Sequence, residues 1–289
     1  MTGLILGLTT AFIWATSSLI VKAWSARVDT LALNAFRLSV SGIFFLALLP
    51  FFGGLDALAR LTTASQIALA ASVIIGVAIG DSLFFWSMTQ IGAARAMPIS
   101  GIYPLFTWAL AVPILGEPIT PQAMFGTAIV MLSLYLLAPV EQTDTPAHTN
   151  RAGTLGAIVA AMVWAGATVL MKMGMQTGVD VITINAFRMP IGALALLALV
   201  HARRGKAAWR GFDRAMIPGL IVYGLYSTGL GALVWTWSVE YTGAARAALL
   251  VTFAPLIGAP LAAIFLRERI TPKIAVGTLM SVVGIWLIL

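Results

Sequence analysis

The chain alternates long hydrophobic runs with short polar breaks along its whole length. Ten such runs have roughly the twenty residues that a helix needs to cross the hydrocarbon of a bilayer. They lie near residues 3–24, 32–52, 65–88, 96–115, 121–138, 153–174, 181–201, 214–238, 246–266 and 272–289. This pattern predicts an all-α membrane protein with ten transmembrane helices.

Composition supports a membrane protein and excludes several other classes. Of the 289 residues, 60% are hydrophobic and only 9% are charged, which is far from the balance of a soluble domain. The net charge of +7 comes from basic residues in short loops between apolar runs, so we expect a bilayer as partner and no nucleic acid. Cysteine is absent and the two histidines, His148 and His201, lie at or beyond helix ends. We therefore expect neither a metal site nor a cofactor.

The distribution of basic residues predicts an orientation in the membrane. The first run starts at Gly3 without a basic leader and is too long for a cleaved signal core, so we expect it to be retained as a helix. Ten crossings place both termini on one side. Thirteen of the seventeen Lys and Arg residues fall on one side, and four on the other: Arg60, Lys172, Arg188 and Arg246. Because the richer side is cytoplasmic, we predict a multi-pass inner-membrane protein with both termini outside.

The chain also matches itself at an offset of about 150 residues, which indicates an internal repeat. The pairs include Trp14 with Trp164, Asn34-Ala-Phe-Arg37 with Asn185-Ala-Phe-Arg188, Gly92-Ala-Ala-Arg95 with Gly243-Ala-Ala-Arg246, and Thr120-Pro121 with Thr271-Pro272. Each half holds five helices, an odd number, so the second half must enter the membrane from the opposite side. We predict two five-helix inverted repeats, residues 1–139 and 153–289, joined by a polar linker, residues 140–152, in one integrated membrane domain. Since ten helices already enclose an interior, we expect a monomer.

The most closely repeated stretch, residues 92–121 and 243–272, carries a proline within each hydrophobic run. These are Pro104 and Pro255. A proline inside a helix removes one hydrogen bond and clashes with the carbonyl four residues back, so it bends the helix and frees a carbonyl. In a membrane that carbonyl needs protein or a water-filled cavity, and the two helix breaks therefore predict a transport pathway.

Together these features resemble a known family. The tryptophans at 14 and 164, the two prolines, and the closing patterns Leu-Gly-Glu-Pro-Ile-Thr-Pro at 115–121 and Leu-Arg-Glu-Arg-Ile-Thr-Pro at 266–272 look like the EamA branch of the drug/metabolite transporter superfamily. The resemblance covers the whole chain. Within this family the chain is similar in pattern to amino acid exporters of the YddG type. It implies a ten-helix carrier for a small-molecule substrate.

Asp81 is the most informative single residue. It lies inside the third run, after Gly76 and Gly80, whose spacing predicts close helix packing. An ionisable group at membrane depth costs on the order of 3 kcal/mol and usually faces the interior with a partner or water. We interpret Asp81 as a proton-coupling or substrate-ammonium site. The alternative is an interhelical cap, or a residue at the cytoplasmic mouth.

Other candidate substrate-binding residues are polar or aromatic. Ser100, Tyr103 and Thr107 are spaced by three and four, which places them on one stripe of the fourth helix. Trp14 and Trp164 lie near the middle of their runs, where an interfacial belt does not explain them. With Ser17 and Tyr226 they predict an aromatic and polar wall around a cavity. Ordinary helix packing, and hydroxyls bonded to helical carbonyls, are the alternatives.

The charged pairs Arg37 with Arg188 and Glu117 with Glu268 are interpreted as scaffold. In an inverted repeat Arg37 would lie beside Glu268 and Arg188 beside Glu117. The sequence therefore predicts two salt bridges near the ends of the spans.

The leading functional hypothesis is a secondary transporter that exports small amphipathic metabolites, with amino acids or analogues as the first class, by alternating access. No GxxxxGK[ST] pattern occurs, so ATP is not the direct energy source. The alternative within transport is a proton-coupled antiporter of drugs or other metabolites, with Asp81 as the coupling acid. A membrane-embedded enzyme or a scaffold is disfavoured, because an enzyme needs converging catalytic groups and Asp81 stands nearly alone.

Overall fold

The protein is described by a computed structural model, in which residues 1–24, 27–91, 96, 99–118, 120–137, 151–175, 178–254, 276, 279, 280, 283 and 284 are placed. Within these residues the secondary structure is helical throughout, with no strand. The α-helices are α1 Thr2–Trp24, α2 Thr30–Leu48, α3 Gly54–Ala59, α4 Thr63–Val73, α5 Asp81–Ile91, α6 Tyr103–Leu115, α7 Pro121–Leu137, α8 Arg151–Gly174, α9 Val181–Arg204, α10 Ile217–Gly224, α11 Gly231–Thr242 and α12 Ala244–Val251.

Five continuous helical segments are long and apolar enough to cross a membrane. They are Thr30–Phe52, Thr63–Ile91, Arg151–Gly174, Val181–Trp209 and Arg214–Thr242. Shorter apolar helices lie in the first, fourth and fifth predicted runs. The chain is therefore a multi-pass α-helical membrane protein. The short surface helix α3 was not predicted from the sequence.

Two of the long segments contain a π-helical stretch in the middle. One is Ile74–Gly80, between α4 and α5, and the other is Leu225–Leu230, between α10 and α11. The two stretches end 150 positions apart, close to the offset of the sequence repeat. Such π turns occur mostly within α-helices and often near functional sites.

Aspartate side chains fix the starts of α2 and α9. Asp29 Oδ1 accepts hydrogen bonds from the backbone N–H groups of residues 31 and 32, and Asp180 Oδ1 accepts them from residues 182 and 183. These bonds satisfy N–H groups that have no partner inside the helix, and the negative charge suits the helix N-terminus. Asp29 Oδ2 also pairs with Arg204 at 3.0 Å, which joins the start of α2 to the end of α9.

Helices of the two halves pack crosswise against each other. Helix α2 lies along α9, α1 lies along α11 and α12, and α8 lies along α4, α5 and α6. A methyl group added at Gly42 of α2 would lie 3.2 Å from backbone atoms of Pro190 in α9, so glycine allows a close approach where these helices cross. Each half thus buries its first helix against the other half.

Pro104 does not interrupt its helix in the way that the sequence suggested. Pro104 is the second residue of α6, and the interruption is a turn at Gly101 and Ile102 just before it. Proline is favoured in a first helical turn because its missing N–H would have no partner there. Pro255 and the linker residues 140–150 lie outside the described residues. Helix α8 begins at Arg151, two residues before the predicted boundary.

Candidate functional site

A buried ion pair joins α2 to the start of α5. Arg37 Nη2 donates to Asp81 Oδ2, and the side chains are 7% and 21% exposed. Arg37 Nε donates to Asn34 Oδ1 at 2.8 Å, and the guanidinium lies 5.2 Å from the centre of the Phe85 ring. A charge within a membrane span is tolerated when it is paired and hydrogen-bonded in this way.

The second half of the chain supplies the other partner of Asp81. Trp164 of α8 donates from Nε1 to Asp81 Oδ1 at 2.9 Å. Gly80 makes the approach possible, since a methyl group there would lie 2.8 Å from Trp164 Nε1. The aspartate is therefore held between a cation of one half and an indole of the other.

Tyr103 extends this arrangement along α8. Its ring meets the ring of Trp164 edge-on at 6.3 Å, and its hydroxyl lies 3.3 Å from Thr168 Oγ1. We refer to these five residues as the Asp81 cluster: Arg37, Asp81, Tyr103, Trp164 and Thr168. The structure thus brings together three candidates that are far apart in sequence, namely Asp81, Tyr103 and Trp164.

The remaining candidates of the fourth predicted helix are buried near this cluster. Thr107 donates to the carbonyl of Tyr103 at 3.0 Å, the helix-bonding arrangement that the alternative interpretation expected. Ser100 is buried. Both lie on the polar stripe with Tyr103.

Three other candidates form a separate group around α1. Trp14 lies against Trp235 of α11, with ring centres 5.3 Å apart. Ser17 donates to the Tyr223 hydroxyl at 3.1 Å, and the Tyr226 hydroxyl lies 2.7 Å from Thr16 Oγ1. We call Trp14, Ser17 and Tyr226 the α1 group. Trp14, Tyr103 and Trp164 all border one hydrophobic cluster, so the two groups share a common apolar interior.

One predicted salt bridge is wrong. Arg188 donates to Ser72 Oγ at 2.9 Å and to Asn185 Oδ1 at 3.3 Å, not to Glu117. Glu117 instead accepts from the backbone N–H groups of Ala244 at 2.6 Å and Ala245 at 2.9 Å. The start of a helix exposes unpaired N–H groups and a partial positive charge, which attract the carboxylate.

The other predicted bridge involves Glu268, which lies outside the described residues. Its proposed partner Arg37 pairs with Asp81 in the structure. Arg37 and Arg188 are both buried, in the helices α2 and α9, which pack along each other.

Sequence reasoning missed Arg37 and Thr168 as parts of the site. The signal for Arg37 was available: it lies three residues after Asn34, so both face one side of α2, and a buried acid in the next helix needs a cation. Thr168 lies one helical turn after Trp164, on the same face of α8. Gly76, predicted to allow close packing, faces Ala167 of α8.

Comparison with known proteins identifies what the chain is similar to. The sequence model described as the EamA-like transporter family matches it twice, at residues 1–138 and 151–289. An uncharacterized transporter of Archaeoglobus fulgidus is 25% identical, over 100% of this chain and 98% of its own. The uncharacterized transporter YoaV of Bacillus subtilis is 24% identical, over 70% of this chain and 68% of its own. Protein LicB of Haemophilus influenzae is 29% identical, over 55% and 54%. A solved crystal structure superimposes with a TM-score of 0.79 at 17% identity, covering 99% of this chain and 95% of that one, which shows a shared fold.

Proposed function

The chain belongs to the EamA-like transporter family, and from that premise we propose that it is a secondary carrier exporting small amphipathic metabolites, with amino acids or their analogues as the leading class. The observation that carries the proposal is the Asp81 cluster. Its charged, hydroxyl and aromatic groups are buried or partly buried, and they come from both halves of the chain. A solute bound there would contact both halves at once.

Alternating access needs two bodies that move about such a shared site. Helix α1 belongs to the first half and packs on the second, whereas α8 belongs to the second half and packs on the first. This crosswise packing supports two bodies that meet at a shared site. The two matches of the family model, one per half, support the repeat on which an inverted arrangement depends. Residues 1–139 and 153–289 are the two repeats in this proposal.

The proposed substrate site consists of residues from the Asp81 cluster and the α1 group, together with the two other residues of the polar stripe that carries Tyr103. They are Trp14, Ser17, Asp81, Ser100, Tyr103, Thr107, Trp164 and Tyr226. In this site the aromatic rings surround the apolar part of the solute, and the ionised and hydroxyl groups orient its polar end.

Transport by purified protein in liposomes tests the proposal. Labelled amino acids, nucleosides and amines would be screened by counterflow, and we expect exchange of at least one amino acid. Trp164→Phe, which cannot donate to Asp81, should lower that flux by about tenfold or more, because hydrogen bonds to charged groups contribute roughly 1.5–3 kcal/mol. Trp86→Phe is the control, since Trp86 is 41% exposed. Absence of flux for every solute, or chemical conversion of one, would contradict the proposal.

Proton coupling is a second candidate, favoured by the position of Asp81. A proton on Asp81 would neutralise it and release the Arg37 guanidinium, so protonation could be linked to rearrangement of the cluster. Asp81→Asn tests this in proteoliposomes with an imposed pH gradient. We expect loss of gradient-driven efflux with exchange retained. If efflux and its pH dependence survive unchanged, Asp81 is not the coupling residue.

A further inference from the structure

Arg188 is a buried cation that the proposed function does not use. It is 4% exposed and lies inside α9. Its Nε and Nη1 groups donate to the neutral side chains of Ser72 and Asn185, and no carboxylate pairs with it among the described residues. A guanidinium has five N–H donors, and these two bonds leave most of them unused. A buried charge with only neutral partners is costly and often functional.

The first half shows what such an arginine can hold. Asn34 and Arg37 of α2 correspond in sequence to Asn185 and Arg188 of α9. Arg37 of the first half and the indole Nε1 of Trp164, from the second half, both donate to one carboxylate, that of Asp81. Asp81 follows the π-helical stretch directly.

The second half contains the corresponding parts, except for the carboxylate. The second π-helical stretch is followed by Gly231 and then by Ala232. Ala232 corresponds in sequence to Asp81. Trp14 of α1 corresponds to Trp164 and occupies the corresponding place, since a methyl group on Gly231 would lie 3.1 Å from Trp14 Nε1.

Hydrogen bonds connect Ala232 to α9, the helix that carries Arg188. Asn185 Nδ2 donates to Thr236 Oγ1 at 3.1 Å, and Thr236 Oγ1 donates to the carbonyl of Ala232 at 2.7 Å. Ala232 belongs to the same hydrophobic cluster as Met189, the neighbour of Arg188. Trp14 makes no hydrogen bond through Nε1 to any described residue, in contrast to Trp164.

We propose that Arg188 and Trp14 form a binding site for the carboxylate of the solute, beside Ala232, where the first half uses its own Asp81. The inference rests on the proposed carrier function and narrows its substrate class to small carboxylates that also carry an apolar part. The planar guanidinium suits a carboxylate, which can accept two parallel bonds from it. The ring of Trp235, 5.3 Å from Trp14, provides an apolar surface for the rest of the solute.

Binding to purified wild-type protein in detergent is the first test. Thermal unfolding would be followed with each of the twenty amino acids and with the corresponding amino acid amides, which lack the negative charge. We expect at least one amino acid to raise the unfolding temperature, with an apparent affinity about tenfold or more above that of its amide. If no amino acid stabilises the protein more than its amide does, the inference is wrong.

The substitution Ala232→Asp is the sharper test, because it supplies the carboxylate from the protein. We expect the aspartate to pair with Arg188, so that this variant unfolds at a higher temperature than the isosteric control Ala232→Asn. The apparent affinity for the amino acid should fall about tenfold or more in Ala232→Asp, and by less in Ala232→Asn, which fills the same space without the charge. In Arg188→Gln the preference for the amino acid over its amide should disappear.

The outcomes separate this inference from the proposed function. If Ala232→Asp unfolds at a lower temperature than Ala232→Asn, or binds the amino acid as wild type does, Arg188 does not receive a carboxylate there. If binding behaves as expected but proteoliposomes show no flux, the carrier function fails and the carboxylate site stands. If flux occurs without preference for a carboxylate, the carrier function stands and this inference fails.

Discussion

The interpretation of Asp81 changes once its neighbours are known. In the sequence it is a lone acid in an apolar run, and it was expected to face the interior with a partner or water. In the structure it is bound by Arg37 and by Trp164, which satisfies both of its oxygens. Each charge of the pair makes the other tolerable, because neither could lie alone at this depth without a cost of roughly 3 kcal/mol.

The mutual dependence of Arg37 and Asp81 can be measured. Arg37→Met or Asp81→Leu alone leaves an uncompensated buried charge, and each should lower the free energy of unfolding by on the order of 3–5 kcal/mol. The double variant removes both charges and should lose less than either single variant. Thermal or denaturant unfolding in detergent gives these values. Losses that simply add in the double variant would show that the two side chains act independently.

At the scale of helices, the hydrophobic pattern was sufficient to predict most of the described spans. The runs near 32–52, 153–174 and 181–201 correspond to α2, α8 and α9 within a few residues. Periodicity reports which segments are apolar, but it contains nothing about the π-helical stretches or about partners far away in the chain. The contact of Trp164 with Asp81 depends on how α8 crosses α5, which no local pattern encodes.

Part of the site was nevertheless predictable. Asp81 could be selected because an ionisable group at membrane depth needs a partner or water. Tyr103 could be selected by its polar stripe, and Trp164 because an interfacial belt does not explain it. Arg37 was assigned to a scaffold, since an arginine near the end of a run usually reaches the interface. What the sequence lacked was the direction in which the side chain points, and that is fixed by the packing of α2 against α9.

The glycine at the end of the first π-helical stretch provides a test at this scale. A methyl group at Gly80 would lie 2.7 Å from Trp164 Cδ1 and 2.8 Å from Nε1, so Gly80→Ala must push α8 away from α5. We expect a loss of about 1–3 kcal/mol in unfolding free energy, as for other overpacked contacts, together with reduced flux.

Gly166→Ala is the matched control, because Gly166 lies in α8 and a methyl group there meets nothing within 4 Å. Alanine is the better helix former by about 1 kcal/mol, so this variant should be as stable as wild type or slightly more so. Thermal unfolding and liposome flux would be measured for both variants. If Gly80→Ala and Gly166→Ala had the same stability and the same flux, the close fit of Trp164 over Gly80 would be contradicted.

For the whole molecule, the contacts between halves decide how the carrier could move. Glu117 follows α6 in the first half and caps α12 in the second. Gly243, which precedes α12, has φ of +86°, and a methyl group there would lie 2.7 Å from Glu117 Oε1. Glycine is thus required both by the backbone conformation and by the approach of the carboxylate.

This cap adjoins a cavity of about 160 Å³, whose lining includes Trp108, Glu117, Thr242 and Ala245. Trp108 is buried, and its Nε1 has no hydrogen-bond partner among the described residues. Because the Glu117 carboxylate of the first half accepts hydrogen bonds from two backbone N–H groups of the second half, it should resist separation of the two halves at this end. Releasing it should favour separation of α6 from α12 and let water reach the cavity.

The absence of cysteine from the sequence makes that expectation testable with single thiols. Ala245→Cys introduces one at a position that is 6% exposed, and we expect slow labelling by a polar maleimide. Adding Glu117→Ala removes the charged acceptor from the start of α12, a change that costs a helix about 1 kcal/mol in typical caps. Since that energy shifts a closed-to-open equilibrium about fivefold, labelling of the thiol should accelerate by a similar factor.

Tyr241→Cys is the control for this labelling experiment, because Tyr241 is 63% exposed and lies near the same end of the molecule. Its labelling should be fast with or without Glu117. If Glu117→Ala accelerated the labelling of both thiols equally, the protein would be unfolding locally, and α6 would not be separating from α12. If it accelerated neither, the cap would stabilise α12 without governing access, and closure at this end would have to come from the apolar contacts of α6 with α12.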